Sequence, residues 1–441
     1  MKTFSRKDFI KRILAASAAP LVVPSSALGR DGFTAPSNRI VMAGIGIGPR
    51  AKDDIRNFIL PNRQIQFVAV ADVLRVRREQ AKALVDKGYG NRDCRTTRDF
   101  RELLADGSID AVLVATGVRW HAGISVLAMR AGKDVYCEKP GCLTIQEGRA
   151  VMETARKLGR IYQMGAQRLS EGPMVVLNEF CARGYLGEVK KAHVYLTPKS
   201  FNGWDTVYLT RTWLPEEPVP DKDECDWDMW LGTCPWRPYN KAYTKNRFPQ
   251  RFDFHTGPIA GWGSHTFAHA QTAMGLADTS AIHYPWYTRN GNSNADDMPY
   301  TFPGGKTIVQ TTKGWPKGYG WCGVKYFGSE GWAACGDGYT FPQLSNPLLL
   351  KEYDRLLCEY KARTGRVMNH MQDFVDSIRS RRQPVASADL MYHSMCTCHG
   401  GNIAQWVRQD LDYDPVRETF TNSPAANRFI SRPQRAGWRW I

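Results

Sequence analysis

The chain lacks an apolar run long enough to cross a bilayer. None of its hydrophobic segments approaches the ~20 residues of a membrane-spanning helix, although 43% of the 441 residues are hydrophobic. That content is sufficient to bury two sizeable cores, so we expect two domains and no stable membrane insertion. The chain also lacks a basic helix with interleaved aromatic residues, so nucleic acid is not an expected partner.

Cysteine spacings of the kind that bind zinc are absent as well. Eleven cysteines occur, and an odd number cannot all pair. Cys225 with Cys234, or Cys322 with Cys335, could form disulfides in an oxidising compartment, and the spacing leaves both options open. No metal site is expected.

Acidic residues are few relative to basic ones. The chain has 59 lysines and arginines against 43 aspartates and glutamates, which gives a formal charge of +16. Such a charge favours anionic partners, for example uronic-acid glycans, membrane surfaces or wall polymers, while the simpler interpretation is solubility.

The N-terminus has the pattern of an export signal. A basic start, a modest apolar stretch over 13–23 and small residues at 25–27 precede the first strand. Arg6 and Lys7 approximate a twin-arginine pair, with lysine in the second place. We therefore expect residues 1–29 to be a Tat-like signal peptide and the protein to be periplasmic or extracellular. Its removal leaves a charge of +12, because five basic residues and one acidic residue are lost.

An apolar run at 38–45 leads directly into a glycine-rich turn. Gly46, Gly48 and Ala51 fit the pattern G-x-G-x-x-A, and Arg50 lies within it. In a dinucleotide-binding fold the first glycine permits the tight turn and the second lets the backbone approach the pyrophosphate. The small third residue allows the helix to pack on the strand.

A second apolar strand, at 65–71, ends in Asp72, 26 residues after the first glycine. A carboxylate at this position can accept hydrogen bonds from the adenosine ribose, or it can cap the following turn, and the two roles are compatible. Arginines at 75, 77 and 78 leave room for a 2′-phosphate, so NADP is possible. We favour NAD because the carboxylate would repel that phosphate.

Two further strands carry candidates for the nicotinamide end. The strand at 111–115 opens into Thr116, Trp120 and His121, at the edge where a doubly wound sheet binds ligands. Trp120 and His121 are expected to be walls of a nicotinamide pocket, with ordinary packing at a helix start as the alternative. The next strand ends in Glu138-Lys139-Pro140, which indicates a lysine at the reacting centre.

These motifs, in this order, resemble a known family. The glycine turn, the strand-terminal aspartate, T-x-x-x-W-H, E-K-P and Gly165-Ala166-Gln167-Arg168 are similar to those of glucose-fructose oxidoreductase, inositol 2-dehydrogenase and their relatives, the Gfo/Idh/MocA family. Trp262-Gly263-Ser264-His265 resembles the secreted branch of that family. The resemblance runs from about Asn38 to the end of the chain. It implies an α/β protein with an N-terminal Rossmann domain and a C-terminal α+β domain whose open sheet is largely antiparallel.

Patterns along the chain suggest where these units lie. We expect a Rossmann NAD(P)-binding domain over 36–165, a substrate-binding α+β domain over 166–415 and a C-terminal tail over 416–441. Tryptophans between 198 and 246 suit sugar stacking, or they fasten a long loop to the sheet.

The resemblance also implies a reaction, namely hydride transfer between nicotinamide and a hydroxyl carbon of a sugar, glycoside or polyol. In the family the E-K-P lysine works with a histidine four residues after an aspartate. This sequence supplies Lys139 and His265, but Gly261 stands where the aspartate would be. Lys139 would polarise the carbonyl or hold the alkoxide, and His265 would act as general acid and base.

The remaining expected contacts fall into two groups. The cofactor-binding candidates are Gly46, Gly48, Arg50, Ala51, Asp72, Thr116, Trp120, His121, Glu138, Lys139 and Gln167. The substrate-binding candidates are Trp262, His269, Asp253 and His255, of which the last three could replace the missing carboxylate.

Two other functions remain open. A redox-assisted glycoside hydrolase or lyase would oxidise the sugar at C3, eliminate the aglycone and return the hydride, with no net redox change. A carbohydrate-binding protein without catalysis would keep the cofactor as a structural ligand. In every case the expected partner is a small sugar or glycoside, and the expected assembly is a homo-oligomer.

Overall fold

The computed structural model describes most of the chain beyond the expected signal segment. The described residues are 35–196, 213–245, 252–286, 297–312, 322–336 and 341–441. Residues 1–29 lie outside them, as does Trp204 among the tryptophans of the long loop.

A six-stranded parallel sheet organises the N-terminal half. Its strands are β1 (Ile40–Ile45), β2 (Ile65–Ala71), β3 (Arg95–Thr97), β4 (Ala111–Val114), β5 (Asp134–Cys137) and β6 (Tyr162–Met164). The spatial order is β3-β2-β1-β4-β5-β6, and every pair is parallel. Strands β4 to β6 are buried at every position, as helices on both faces require. Because the order reverses between β1 and β4, a ligand crevice forms at their carboxyl ends.

Helices connect these strands in the alternating pattern of a doubly wound domain. They are α1 (Pro49–Asp54), α2 (Arg75–Tyr89), α3 (Phe100–Ala105), α4 (Val118–Arg130) and α5 (Ile145–Leu158). α1 continues as a π-helical segment over Ile55–Ile59. The predicted Rossmann fold is confirmed.

A mixed sheet of nine described strands organises the C-terminal half. Its strands are β7 (Val189–Leu196), β8 (His283–Tyr284), β9 (Met298–Thr301), β10 (Thr307–Thr311), β11 (Cys322–Gly328), β12 (Trp332–Gly336), β13 (Gln343–Leu344), β14 (Leu411–Asp414) and β15 (Thr419–Phe420). The order is β13-β12-β11-β7-β10-β9-β8-β14-β15. β7 and β10 pair in parallel, and the other described pairs are antiparallel. The expected, largely antiparallel sheet is therefore confirmed.

Seven helices of the described residues pack against this second sheet or against other helices. They are α6 (Gly172–Ala182), α7 (Trp227–Leu231), α8 (Pro258–Ala273), α9 (Tyr353–Thr364), α10 (His370–Ser380), α11 (Ala388–Val407) and α12 (Pro424–Asn427). α8 packs on β7, β11 and α11, and α11 in turn packs on α5 of the Rossmann half. This stack places α8 beside the carboxyl edge of the parallel sheet.

The predicted boundary between the two domains at residue 165 does not match the way in which the helices pack. Helix α10, expected in the substrate domain, buries Met371, Phe374, Val375 and Ile378 in the same core as Phe67 of β2. Its strongly amphipathic apolar face covers a side of the parallel sheet, because the strands there need a second layer.

Residues 416–441 are likewise part of the fold rather than a separate tail. They supply β15 to the second sheet. Trp440 is 6% exposed and stands against Gly123 of α4, and Trp438 lies edge-on to Trp120 at 5.5 Å between ring centres. The chain end thus joins the two halves.

Among the described residues, no helix has both the length and the apolarity that a membrane span requires. All eleven cysteines lie within the described ranges, and no disulfide joins Cys225 to Cys234 or Cys322 to Cys335, the two pairs that the sequence left open.

Candidate functional site

The glycine turn has the geometry that its sequence predicts. Gly46 follows β1 with φ of 80°, and a Cβ there would lie 2.4 Å from Cγ2 of Thr116. Gly48 precedes α1 with φ of −77°, and a Cβ on it would meet only open space. Ala51 is fully buried. The turn therefore leaves room at the start of α1 for the pyrophosphate of a dinucleotide.

Asp72 lies at the end of β2 and is only 5% exposed. Its Oδ2 accepts a hydrogen bond from the Ile47 amide at 2.7 Å, and its Oδ1 accepts one from the Leu74 amide at 2.9 Å. The carboxylate thus shapes both the glycine turn and the turn after β2. The capping role is present, and the carboxylate also lines the cavity where a ribose would lie.

We expect Asp72→Ala to weaken binding of both NAD and NADP, and of NAD more strongly. The substitution removes the ribose acceptor and the charge that would repel a 2′-phosphate, but it also frees the amide that holds the glycine turn. Affinity titrations with both dinucleotides measure the change in preference, with the exposed Asp278→Ala as control. A wild-type preference for NADP would contradict the role assigned to Asp72.

A small cavity of about 60 Å³ opens at the carboxyl ends of β1, β2 and β4. Gly46, Asp72 and Thr116 form one side of it, and Met229 and Trp230 of α7 form another. It lies on the β2 side of the glycine turn, where the adenosine half of a dinucleotide binds in this fold.

The segment 213–245 of the C-terminal half covers this cavity. The guanidinium of Arg119 stacks on the Trp230 ring at 3.7 Å and donates to the Trp230 carbonyl at 2.7 Å. Arg78 donates to the Asp223 carboxylate at 2.6 Å. An adenosine bound here would be enclosed by both halves of the chain, which favours slow release.

Trp120 and His121 do not form the expected walls of a nicotinamide pocket. Trp120 is 5% exposed, packs edge-on against Phe100 and lines the adenosine-side cavity instead. His121 Nδ1 lies 2.7 Å from the carbonyl of Pro140, and its Nε2 lies 3.0 Å from the carbonyl of Thr116. The first turn of α4 directs both side chains into the fold, so His121 links the loops that follow β4 and β5.

Glu138 is the centre of a buried polar network at the end of β5. Its Oε1 accepts from Gln167 Nε2 at 2.7 Å and from Arg50 Nε at 3.1 Å. Gln167 also donates to the Tyr136 hydroxyl at 2.9 Å. Nη2 of Arg50 lies 2.6 Å from Oδ1 of Asp54. Two of the expected cofactor contacts, Arg50 and Gln167, thus both bind a third, Glu138.

Lys139 and His265 come together, although 126 residues separate them. Lys139 Nζ donates to the Gly261 carbonyl of α8 at 3.1 Å and lies 5.0 Å from the centre of the Trp262 ring. The His265 ring is centred 6.2 Å from that of Trp262. In the part of the chain that the structure describes, His265 Nδ1 is buried without a hydrogen-bond partner. A buried orphan nitrogen fits a site that a ligand completes.

Burial sets the ionisation of this pair. Removal from water lowers the pKa of His265 well below its usual value, and the positive charge of Lys139 lowers it further. The imidazole is therefore neutral at pH 7 and able to accept a proton. Burial also lowers the pKa of Lys139, while the neighbouring Glu138 opposes that decrease.

Gly261 leaves space where the family has an aspartate. A Cβ added there would meet, among the described atoms, only Cε1 of His255 at 3.9 Å. His255 accepts from the Gly257 amide at 3.0 Å through Nδ1. Burial, with the charge of Lys139, lowers the pKa of His255 to about 4. His255 and Trp262 thus lie beside Gly261 and Lys139, and their substrate-binding role stays a prediction.

The other two substrate-binding candidates lie elsewhere. His269 is 1% exposed, and its Nδ1 is 2.9 Å from the hydroxyl of Tyr326 on β11, so its ring packs against the second sheet and its substrate-binding role stays a prediction. One helical turn beyond His265, the side chain faces the second sheet rather than the site. The Asp253 carboxylate forms an ion pair with Arg237, which stacks on Phe254 at 4.6 Å. The negative charge of Asp253 is therefore neutralised by Arg237, although we expected it to interact with the substrate.

Sequence reasoning missed two charged residues of the site. Asp54 has a side-chain exposure of 1%, and a polar residue three positions after the buried Ala51 was the available signal. Arg168 lowers the pKa of both Lys139 and His265 by its charge, although it forms an ion pair with Glu171. In the sequence it stands out only as the last residue of the motif Gly165-Ala166-Gln167-Arg168.

Family models match most of the chain. The model described as "Oxidoreductase family, NAD-binding Rossmann fold" covers residues 38–166, and the one described as "Oxidoreductase family, C-terminal alpha/beta domain" covers residues 175–309 and 357–440. The chain belongs to the Gfo/Idh/MocA oxidoreductase family. The residues of the glycine turn, the cavity beside it and the end of β5 fit an NAD-type dinucleotide.

Curated relatives match about a third to two fifths of the chain. Inositol 2-dehydrogenase of Salmonella typhimurium is 29% identical over 150 residues, which are 34% of this chain and 43% of the relative. D-glucoside 3-dehydrogenase of Escherichia coli is 31% identical over 153 residues, 35% of this chain and 42% of the relative. A glycosyl hydrolase family 109 protein of Stenotrophomonas maltophilia is 28% identical over 196 residues, 43% and 41% respectively. The chain spans less than half the length of these relatives.

Solved structures share the fold across both halves. Myo-inositol 2-dehydrogenase from Lactobacillus plantarum superposes with a TM-score of 0.57 at 15% identity, covering 85% of this chain and 100% of that one. An oxidoreductase from Agrobacterium radiobacter, in complex with NAD⁺, L-tartaric acid and magnesium, gives 0.56 at 14% identity, covering 85% and 98%. At these identities the likeness establishes the fold.

Proposed function

We propose that this protein transfers hydride between a nicotinamide cofactor and a hydroxyl-bearing carbon of a sugar, glycoside or polyol. The observation that carries the proposal is the convergence of Lys139 and His265 at the carboxyl edge of the dinucleotide-binding sheet. The names of the relatives, which include an inositol and a D-glucoside dehydrogenase, support this substrate class.

Each residue has a defined task in this reaction. When bound, the nicotinamide accepts the hydride. His265, neutral at pH 7, accepts the hydroxyl proton as the carbonyl forms. The ammonium of Lys139 stabilises the negative charge that develops on the same oxygen, in a site where burial makes that interaction stronger than in water. Reduction of a ketone uses the same groups in reverse.

Several further properties belong to this proposal. NAD is favoured over NADP because the Asp72 carboxylate lines the adenosine-side cavity. An anionic sugar fits a basic chain whose site contains Lys139 and Arg168. Export through a twin-arginine signal suits a protein that folds around its cofactor, and homo-oligomer formation remains a prediction.

A second candidate is redox-neutral cleavage of a glycoside, and the glycosyl hydrolase family 109 relatives favour it. The same lysine and histidine would serve an oxidation that acidifies the neighbouring proton, an elimination of the aglycone and a final return of the hydride. Enclosure of the adenosine cavity by segment 213–245 suits such a cycle, since the cofactor would not need to leave.

Native mass spectrometry followed by a glycoside panel distinguishes these functions. The mass identifies any bound dinucleotide, the absorbance of NADH reports net oxidation, and aglycone release reports cleavage. We expect net NADH formation with at least one sugar or polyol. Aglycone release without net NADH would favour the second candidate, and sugar binding with neither would favour a carbohydrate-binding protein.

We expect Gly261→Asp to shift the acidic limb of the pH–rate profile to higher pH. The space at Gly261 accommodates a side chain, and a carboxylate there would raise the pKa of His265 by favouring its protonated form. The pH dependence of kcat/KM measures the shift. Gly107→Asp, in an open position, is the matched control. A pH–rate profile that does not shift, together with a raised KM, would instead indicate that the site is adapted to the glycine and that the new carboxylate impairs substrate binding.

A further inference from the structure

Asp54 is a buried carboxylate to which the reaction assigns no task. It stands on α1, directly after the glycine turn, with 1% of its side chain exposed. Arg50 Nη2 approaches Oδ1 to 2.6 Å, yet neither carboxylate oxygen receives a well-directed hydrogen bond from the described residues. A buried carboxylate that accepts no such hydrogen bonds needs another source of stabilisation.

The Glu138 carboxylate lies beside that of Asp54, because one guanidinium contacts both carboxylates: Arg50 Nη2 is 2.6 Å from Asp54 Oδ1, and Arg50 Nε is 3.1 Å from Glu138 Oε1. Two adjacent carboxylates in a buried site cannot both remain ionised, so one proton is shared between them. Burial and the charge of Glu138 raise the pKa of Asp54 to about 9. At neutral pH the pair therefore holds one proton and one negative charge, which Arg50 balances.

The pair also lies where the charge of a cofactor changes. Glu138 directly follows β5 and precedes Lys139, on the side of the crevice opposite the adenosine cavity, where the nicotinamide half binds in this fold. The oxidised nicotinamide ring is a cation and the reduced ring is neutral. The charged and titratable groups around the pair come from five elements: Arg50 and Asp53 from α1, His121 from α4, Tyr136, Cys137 and Lys139 from β5 and its end, Tyr162 from β6, and His370 from α10.

We propose that the Asp54–Glu138 pair is a redox-linked proton site, which releases its shared proton when oxidised nicotinamide binds and retains it when reduced nicotinamide binds. The proposal rests on the cofactor use proposed above. During oxidation of an alcohol the C–H bond breaks, the hydride moves to nicotinamide, the carbonyl forms and His265 receives the hydroxyl proton. As the ring loses its positive charge, the pair takes up one proton from solvent, so the charge beside the ring stays balanced.

Calorimetric titration of the full-length protein, after removal of bound dinucleotide, tests this without any substrate. Titrations with NAD and with NADH at pH 8, each in two buffers of different ionisation enthalpy, give the number of protons exchanged. We expect NAD binding to release up to one proton more than NADH binding. The ratio of the two affinities should then change by up to about tenfold per pH unit.

Asp54→Asn should remove this difference, because the amide has nearly the same shape and can donate to Glu138 but cannot exchange the proton. Asp53→Asn is the matched control. The Asp53 carboxylate is 54% exposed and pairs with Arg56, so the difference in proton release between NAD and NADH binding should persist in this variant. Asp53 lies on the same helix as Asp54, but its side chain is not buried beside Glu138.

Equal proton numbers for NAD and NADH in the wild type would overturn the proposal, as would a difference that survives Asp54→Asn. If Asp54→Asn does not fold, the wild-type titrations decide alone. A protein that shows the proton difference but oxidises no sugar would refute the proposed function and leave the proton site standing.

Discussion

Replacement of Lys139 by methionine is expected to lower turnover by on the order of a hundredfold or more, while cofactor content and fold are retained. Methionine keeps the apolar stem that packs beside Trp262 but removes the ammonium that points toward Gly261 and the reacting oxygen. His265→Asn should cause a loss of similar size, since an amide cannot accept the hydroxyl proton. Steady-state kinetics on a substrate of the wild type measure both effects, with native mass spectrometry to verify bound dinucleotide.

Lys133→Met is the matched control for a buried lysine. Its Nζ donates to the carbonyls of Asp106 and Ile109, so its loss should reduce stability without reducing turnover. Full activity of His265→Asn would refute the proton-transfer role of His265. His255, which borders the same space, would then be the next candidate, whereas His269 is too firmly placed against Tyr326 to serve.

Gly48→Val is expected to abolish dinucleotide binding and leave the protein folded. A Cβ at Gly48 meets nothing within 4 Å, and its φ of −77° is accessible to any residue. The added side chain would therefore occupy only the space that the pyrophosphate needs. Native mass spectrometry and NADH fluorescence titration measure the loss, and thermal unfolding verifies the fold.

The choice of glycine matters for this test. Gly46→Val would drive a Cβ to 2.4 Å from Thr116 and would damage the fold together with the site. Gly107→Val, in an equally open position far from the glycine turn in sequence, should bind dinucleotide normally. Unchanged cofactor content in Gly48→Val would contradict the position assigned to the pyrophosphate.

Local patterns predicted the Rossmann half because its signals are local. Each strand is a short apolar run, and the glycine turn, Asp72 and Glu138-Lys139 all follow strand ends that a parallel sheet brings to one edge. The adenosine cavity was harder to foresee. Its cover comes from Trp230, which is 111 residues from its partner Arg119, and no local pattern reports that contact.

Histidines show the limit of sequence reasoning most clearly. His265 and His269 stand one turn apart on α8, yet one faces Lys139 and the other faces Tyr326. Their spacing alone could not separate them, because which side of α8 faces the crevice depends on how the helix packs between the second sheet and α11. Asp253 has the right chemistry for a substitute carboxylate, but its side chain forms an ion pair with Arg237.

The amino-acid sequence by itself determined the fold class, the family, the strand-end motifs and the residues Lys139 and His265, because these follow from short patterns of apolarity, glycine and charge. Only the tertiary structure decided that α10 completes the Rossmann core and that the chain end joins both halves. It alone placed Asp54 and Glu138, which are 84 residues apart, on the same guanidinium of Arg50. The physical reason is that burial and the partner of a charged group are properties of packing between distant segments, and packing determines whether a carboxylate caps a turn, pairs with an arginine or shares a proton.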